Sequence, residues 1–387
     1  MRAFLGTFVF PETGLVESGA LLVEAGRVVG FEKAAPQGAE TIELDGFVLP
    51  GLIDAHVHLS FSGGADPVAE MEAEPPAATV ARAVGYLRAY LQAGITAVRD
   101  LGSRDGMAVG LAYAVEKGLV PGPRVVAAGR VLTPTGGHGH RHGVEADGPE
   151  AVRRAAREEF KRGARALKLM ATGGVMTPGV QAGAPMFEEE ELAAGAREAE
   201  KRGVPAAAHA QGLAGIKAAL RAGVKTIEHG AFDRWDAEAF ALFKDRSALL
   251  VPTLSAPDGI LRGEGVPAFV VEKTRAIAER HRENTFEAWR AGVTIAAGTD
   301  AGTPHNPHPN LARELSLLAE LGIALEDVLR AATCYAARAL GMEGEVGTLR
   351  PGAHADLVVL EENPLESASA YARVRAVMKG GKPVPRA

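Results

Sequence analysis

Between residues 51 and 345 the apolar and polar positions follow one repeating pattern: a short, almost wholly apolar run, a Gly-containing break, then a longer stretch rich in Ala, Glu, Arg and Leu. Short runs without alternation fit strands buried on both faces, and the longer stretches fit amphipathic helices, so the pattern predicts parallel βα units. Strand ends fall near His58, Asp100, Ala128, Leu169, His209, His229, Thr253 and Asp300. Eight such strands predict an α/β fold with a (β/α)8 TIM-like barrel. Helix punctuation agrees: Gly148-Pro149-Glu150 opens a helix that runs to Arg162 and stops at Gly163, and Gly203 and Gly223 repeat that stop ahead of the next strands.

The two ends of the chain have a different texture. Gly19–Glu24, Arg27–Phe31 and Thr41–Leu44 read as short strands parted by Gly and Pro, and so do Ala355–Leu360 and Val374–Met378. A barrel takes about 250 residues, which leaves room for one small second domain in a chain of 387. The expected organisation is a composite β-sandwich domain from residues 1–50 plus 346–387, around a barrel at residues 51–345.

Composition sharpens this picture in three ways. With 47% hydrophobic but only 5% aromatic residues, the core must be built from Ala, Val and Leu. A formal net charge of −6 gives no electrostatic reason to expect nucleic acid or an anionic membrane as partner. No apolar run approaches the roughly 18–20 residues that span a bilayer, and Met1–Phe10 lacks the form of a signal peptide. The single cysteine, Cys334, reads as a buried structural thiol in a reducing compartment, so a cytoplasmic enzyme is expected. The abundance of Arg, Ala, Gly and Pro fits either a thermophile or a GC-rich genome.

Candidate chemistry gathers at the strand ends. In His56-Val57-His58 the two imidazoles are two residues apart on a strand and can face the barrel axis together, although such a pair alone also fits satisfied surface histidines. Lys168, His209, His229 and Asp300 each stand at or near the end of a further apolar strand, on the face where barrel enzymes build their sites. A lysine inside an apolar strand is either a snorkelling side chain or a neutral amine. As a neutral amine, Lys168 can take up carbon dioxide and become a carbamate, a short anionic bridge for two divalent cations. The set His56, His58, Lys168, His209, His229 and Asp300 therefore predicts a pair of metal ions. Its imidazole majority favours zinc, which brings the pKa of bound water to about 7. Asp300 can bind metal and also take a proton, so hydrolysis by a hydroxide bridging the two metals is the expected reaction.

In that order around the barrel, these residues resemble the amidohydrolase superfamily. Gly347-Thr348-Leu349-Arg350-Pro351-Gly352 with Ala355–Val359 is similar to its composite β-domain. Val98-Arg99-Asp100-Leu101-Gly102, Gly136-Gly137-His138-Gly139, Lys168–Val175 and Asp300-Ala301-Gly302-Thr303-Pro304 resemble the branch of imidazolonepropionase-like proteins and Xaa-Pro dipeptidases. The resemblance implies two zinc ions, a dipeptide, N-acyl amino acid or related amide as substrate, His138 polarising the scissile carbonyl, and a homo-oligomer. His140 and His142 compete with His138 for that role. Many dipeptidase-like members place a Tyr two residues after the fifth-strand histidine, where Gln211 stands here. Arg99 is a candidate for a substrate carboxylate or a structural ion pair, and His305 and His308 are candidates for the rim.

Three other readings share part of the pattern. A cyclic amide or imidazolone hydrolase uses the same centre. A mononuclear deaminase shares the His pair and the final Asp but lacks the lysine, and it needs an acid where Gln211-Gly212-Leu213 stands. A barrel retained only as a scaffold subunit would have lost ligands, whereas all six positions are filled.

Overall fold

The computed structural model describes residues 1–230 and 232–385; residues 386 and 387, which close the expected terminal domain, lie outside them. In chain order the strands are β1 (Arg2–Phe10), β2 (Leu15–Glu24), β3 (Arg27–Glu32), β4 (Glu40–Pro50), β5 (Leu52–Val57), β6 (Ile95–Asp100), β7 (Arg124–Ala127), β8 (Leu132–Thr133) and β9 (Val144–Glu145). They continue as β10 (Leu167–Met170), β11 (Ala206–Ala210), β12 (Thr226–His229), β13 (Leu249–Val251), β14 (Thr294–Ile295), β15 (Leu357–Leu360), β16 (Val374–Lys379) and β17 (Lys382–Pro383).

The barrel is the parallel series β5-β6-β7 followed by β10 through β14. Two seams close it. Arg165 N donates to Ala127 O at 2.8 Å between β7 and β10. At the other seam Ala55 N reaches Ala297 O, Asp300 N reaches His56 O and His58 N reaches Ala301 O, all within 2.7–3.0 Å. The TIM-like barrel read from the sequence is therefore the fold.

Inside the barrel the side chains are small. Ala55, Ala97, Ala166, Ala207 and Ala296 pack with Ile53, Leu249 and Val251, and Ala336, Ala337, Ala339 and Leu340 plug the floor. Alanine favours helix, so β11, Ala206-Ala207-Ala208-His209-Ala210, owes its extended state to its two parallel neighbours rather than to propensity. The helix Pro149–Arg162 shows the outer layer: Val152, Ala155, Ala156, Glu159 and Phe160 are buried at helical spacing, and Gly163 ends it at φ 107°.

The terminal strands form one sheet, ordered β17-β16-β15-β4-β1-β2-β3, with β15 antiparallel to the end of β4. The sheet curls until Val28 of β3 exchanges backbone hydrogen bonds with Gly352 and Ala353 at 2.8–2.9 Å. Phe4, Phe8, Leu21, Val48 and Leu357 fill the space so enclosed. Strand β1 was not expected from the sequence, because its register shifts between Leu5 and Thr7 and its buried residues, Ala3, Phe4, Phe8 and Val9, do not alternate. Cys334 is half-buried at the start of a short helix rather than fully buried, and burial pushes its thiol up to about 11. Among the described residues no helix is long and apolar enough to cross a membrane.

Candidate metal centre

A strand bulge and three left-handed residues shape the candidate site. On β5, Asp54 pairs with Val98 but Val57 pairs with Asp100, so β5 carries one extra residue. Ile53 and Ala55 point into the barrel, and the bulge lets His56 turn inward after them. At the ends of β12, β13 and β14, His229, Thr253 and Asp300 have φ of 73°, 53° and 57°. Left-handed backbone costs a non-glycine residue roughly 1–3 kcal/mol and concentrates at functional sites. Along β12, Thr226 and Glu228 face the interior, so His229 enters the site only because its backbone turns there.

Buried hydrogen bonds fix where the imidazole lone pairs lie. His58 Nδ1 sits 2.7 Å from Gly102 O, an atom that only accepts, so this nitrogen carries the proton. His56 Nδ1 sits 2.8 Å from Glu228 Oε2, whose other oxygen is held by Arg99 Nη2 at 3.0 Å. Both Nε2 lone pairs therefore point inward, 3.4 Å apart, and Asp300 Oδ1 lies 3.4 Å from one and 3.1 Å from the other. Three electron-rich atoms meeting this closely require a positive charge between them. Either a proton or a metal cation supplies it, and the donor set fits a divalent cation. His58 expresses the same demand: its pKa is raised, because the hydrogen bond and charge of Asp300 outweigh burial.

The other candidate ligands surround that point. The nearest ligand atoms of His56, His229 and Asp300 lie within 4.8 Å of one another. The His229 ring is 5.2 Å from His56 and 4.6 Å from His209, and the His138 ring is 4.3 Å from His209. His209 Nε2 faces Gly173 O at 3.3 Å, which leaves Nδ1 as its lone pair. Burial holds His56, His209 and His229 well below the usual imidazole range, so they are neutral, as metal ligands must be. Lys168 is buried at the same mouth; burial lowers it to about 8 against the pull of Glu228 and Asp300. Among the described residues its Nζ makes no ion pair, which leaves the amine free to react.

The amidohydrolase family model matches residues 47–384, which spans the barrel and most of the terminal sheet. The chain belongs to the amidohydrolase family. This amidohydrolase is thus a hydrolase of carbon–nitrogen bonds. It is 34% identical to ochratoxinase of Aspergillus niger over 95% of this chain and 82% of that protein. It is 29% identical to imidazolonepropionase of a Methylobacterium species over 92% of this chain and 91% of that one. A solved prolidase complexed with N-methylphosphonate-L-proline superposes with a TM-score of 0.91 at 33% identity, covering all of both chains.

Some candidates lie elsewhere than the sequence suggested. Arg99 is not a substrate contact: it is fully buried, and its guanidinium donates to Ala55 O, Thr226 Oγ1, Ala339 O and Glu228 at 2.7–3.0 Å. It is the interior charge that holds Glu228, and Glu228 in turn orients His56. The sequence signal for Glu228 is an acid inside an apolar strand, directly before His229. His305 turns away to Glu264 O at 2.7 Å and is not among the described residues lining the pocket. His308 is stacked 4.3 Å from Tyr86 and bonded to Tyr90 Oη at 2.8 Å, a packing role. His138, His140 and Gln211 do line the pocket, with Phe61, Met170, Met176, Phe232, Ile260 and Ile277 as apolar walls. His140 Nδ1 is tied to Gly137 O at 2.9 Å, and His142 packs 5.1 Å from Phe61. Among the described residues, Arg141 lines this pocket as a second basic side chain besides Lys168 and is paired with Glu72 through Nε at 2.7 Å.

Proposed function

We propose that this amidohydrolase cleaves the amide bond of a dipeptide or N-acyl amino acid at a pair of divalent metal ions, with the imidazole-rich ligand set favouring zinc. His56, His58, His209, His229, Asp300 and Lys168 as its carbamate hold the pair. When bound, the metals polarise the scissile carbonyl and acidify water at neutral pH. Asp300 accepts the proton of the attacking water and returns it to the nitrogen of the leaving amine as the carbon–nitrogen bond breaks. His138 Nε2 donates a hydrogen bond to the carbonyl oxygen, where negative charge develops. The walls formed by Phe61, Met170, Phe232 and Ile277 favour an apolar side chain on the substrate and exclude bulk water. Arg141, rather than the buried Arg99, exchanges Glu72 for a substrate carboxylate.

The observation that carries this reading is the convergence of His56 Nε2, His58 Nε2 and Asp300 Oδ1 beside a buried, unpaired Lys168. The names of its relatives, an ochratoxinase and a prolidase, support an amide substrate. The test is a screen of dipeptides, N-acyl amino acids, lactones and cyclic ureides with protein loaded with zinc in bicarbonate. Amide turnover is expected, with Asp300→Asn retaining metal and losing at least about a hundredfold in kcat, the lower end of general acid–base contributions. An Asp300→Asn variant of undiminished activity would remove Asp300 from the chemistry.

A further inference from the structure

Between β10 and the helix Glu189–Lys201 the chain crosses the barrel mouth as a loop, and a lysine from a different part of the fold holds it there. Lys273, on the helix Ala268–Arg290 inserted after β13, donates from Nζ to Thr177 O at 2.8 Å and to Val180 O at 2.5 Å. Among the described residues it has no carboxylate partner. Its charge rests on these two carbonyls and on the Phe269 ring, 5.5 Å away.

Thr177 passes this anchoring on to the site, since its Oγ1 lies 2.8 Å from Nδ1 of His138. The hydroxyl has no other acceptor among the described residues; donating to Nδ1, it would leave the ring's own proton on Nε2. Gly174 shapes the same contact. A Cβ on it would lie 2.6–2.9 Å from Cε1, Nε2 and Cδ2 of His138, so the loop backbone lies flat against the imidazole, as only glycine permits. The lysine, the threonine and the imidazole form one mechanical chain from a helix of the outer layer to the reaction centre.

We propose that Lys273 is a positioning residue: by clamping Thr177 over the barrel mouth it fixes the orientation and tautomer of His138, so that Nε2–H faces the substrate carbonyl. This rests on the reading of His138 as donor to that carbonyl. Hydrogen-bond partners that orient an active-site imidazole are typically worth 10- to 100-fold. Zinc-loaded Thr177→Val is therefore expected to lose about 10- to 100-fold in kcat with KM within about twofold, and Thr177→Ser to recover most of it. Lys273→Met should lose about tenfold in kcat at unchanged zinc content, and Lys273→Arg should lose less. In the Thr177→Val background Lys273→Met should add little, because the link it acts through is already cut.

Two readouts are independent of turnover. In protein labelled with nitrogen-15 histidine, His138 should show a protonated Nε2 and a bare Nδ1, and both Thr177→Val and Lys273→Met should convert this to a mixture. Limited proteolysis should cut residues 175–183 faster in Lys273→Met. Losses in kcat that multiply independently in the double variant, or an unchanged His138 tautomer in both single variants, overturn the proposal. Undiminished kcat in His138→Ala overturns the reading beneath it. That outcome is distinguishable because the tautomer and proteolysis results would still stand.

Discussion

Replacing Glu228 by Gln keeps its shape and removes its charge, in a place where no water can compensate. Glu228 and Arg99 are both fully buried, and the carboxylate takes hydrogen bonds from Arg99 Nη2 at 3.0 Å, Thr226 Oγ1 at 2.5 Å and His56 Nδ1 at 2.8 Å. Removing one member of a buried ion pair strands the other and costs about 3–5 kcal/mol. Glu228→Gln and Arg99→Met should each destabilise the metal-free protein by that amount. In the double variant no charge is stranded, so the two losses should not add: against a sum of about 6–10 kcal/mol, the double variant should lose only about 3–5, a coupling of about 3–5 kcal/mol. Urea unfolding at pH 7 measures this directly, through midpoints at a shared slope. Glu228→Gln should also weaken metal binding by about 10- to 100-fold, because His56 loses the partner that fixes its tautomer, whereas a purely structural defect would spare the metal. Additive losses, or a Glu228→Gln variant as stable as the parent, would refute the view of this pair as one buried unit.

Three further outcomes follow from the geometry. Lys168→Ala should lower metal content and activity together, with partial recovery in short carboxylic acids that supply the missing bridge; full metal content in Lys168→Ala would refute its role as ligand. Glu314 is pushed up from 4.5 to about 7 by burial, despite hydrogen bonds from Leu254 N and Ser255 N. Its stabilising contribution is complete below its unfolded pKa and is lost as pH rises through its folded pKa, a change of roughly 3 kcal/mol. Glu314→Gln should flatten that part of the pH dependence of the urea midpoint between about pH 4.5 and 7, and an unchanged profile would refute it. Arg141→Met should raise KM for substrates bearing a free carboxylate and leave KM for their carboxamide analogues unchanged; equal effects on both would assign Arg141 to the loop alone.

The barrel was legible because its strands are buried on both faces and end at sharp glycine breaks, so blocks of apolar residues mark them without any knowledge of the loops. The candidate ligands were legible for a related reason: a polar residue at the end of an apolar strand is costly unless something occupies it. What the pattern hid was direction. Arg99 stands beside Asp100 at a strand end, as the ligands do, yet alternation turns it inward to Glu228. His305 and His308 sit within a few residues of Asp300, yet the loop backbone takes one to Glu264 O and the other to Tyr86 and Tyr90. Sequence distance from a ligand is a poor guide once the chain has left the strand. The link from Lys273 to Thr177 to His138 was invisible for the same reason, since it joins two connections nearly a hundred residues apart through backbone carbonyls that carry no sequence signal.

Alanines at positions 55, 97, 166, 207 and 296 line the barrel where most barrels carry branched side chains, and Arg99, Glu228 and Lys168 are buried in the same protein. A wholly aliphatic interior would be easier to stabilise, because buried ion pairs seldom repay their desolvation. The charged layer lies directly beneath the candidate metal ligands, and it holds His56 through Glu228 while keeping the Lys168 amine short of water. The left-handed backbone at His229, Thr253 and Asp300 adds a second cost on the same side of the barrel. Substitutions that relieve either cost, such as larger aliphatic residues in place of the interior alanines, would therefore displace the groups that orient the ligands, and any stability gained there would be taken from the site.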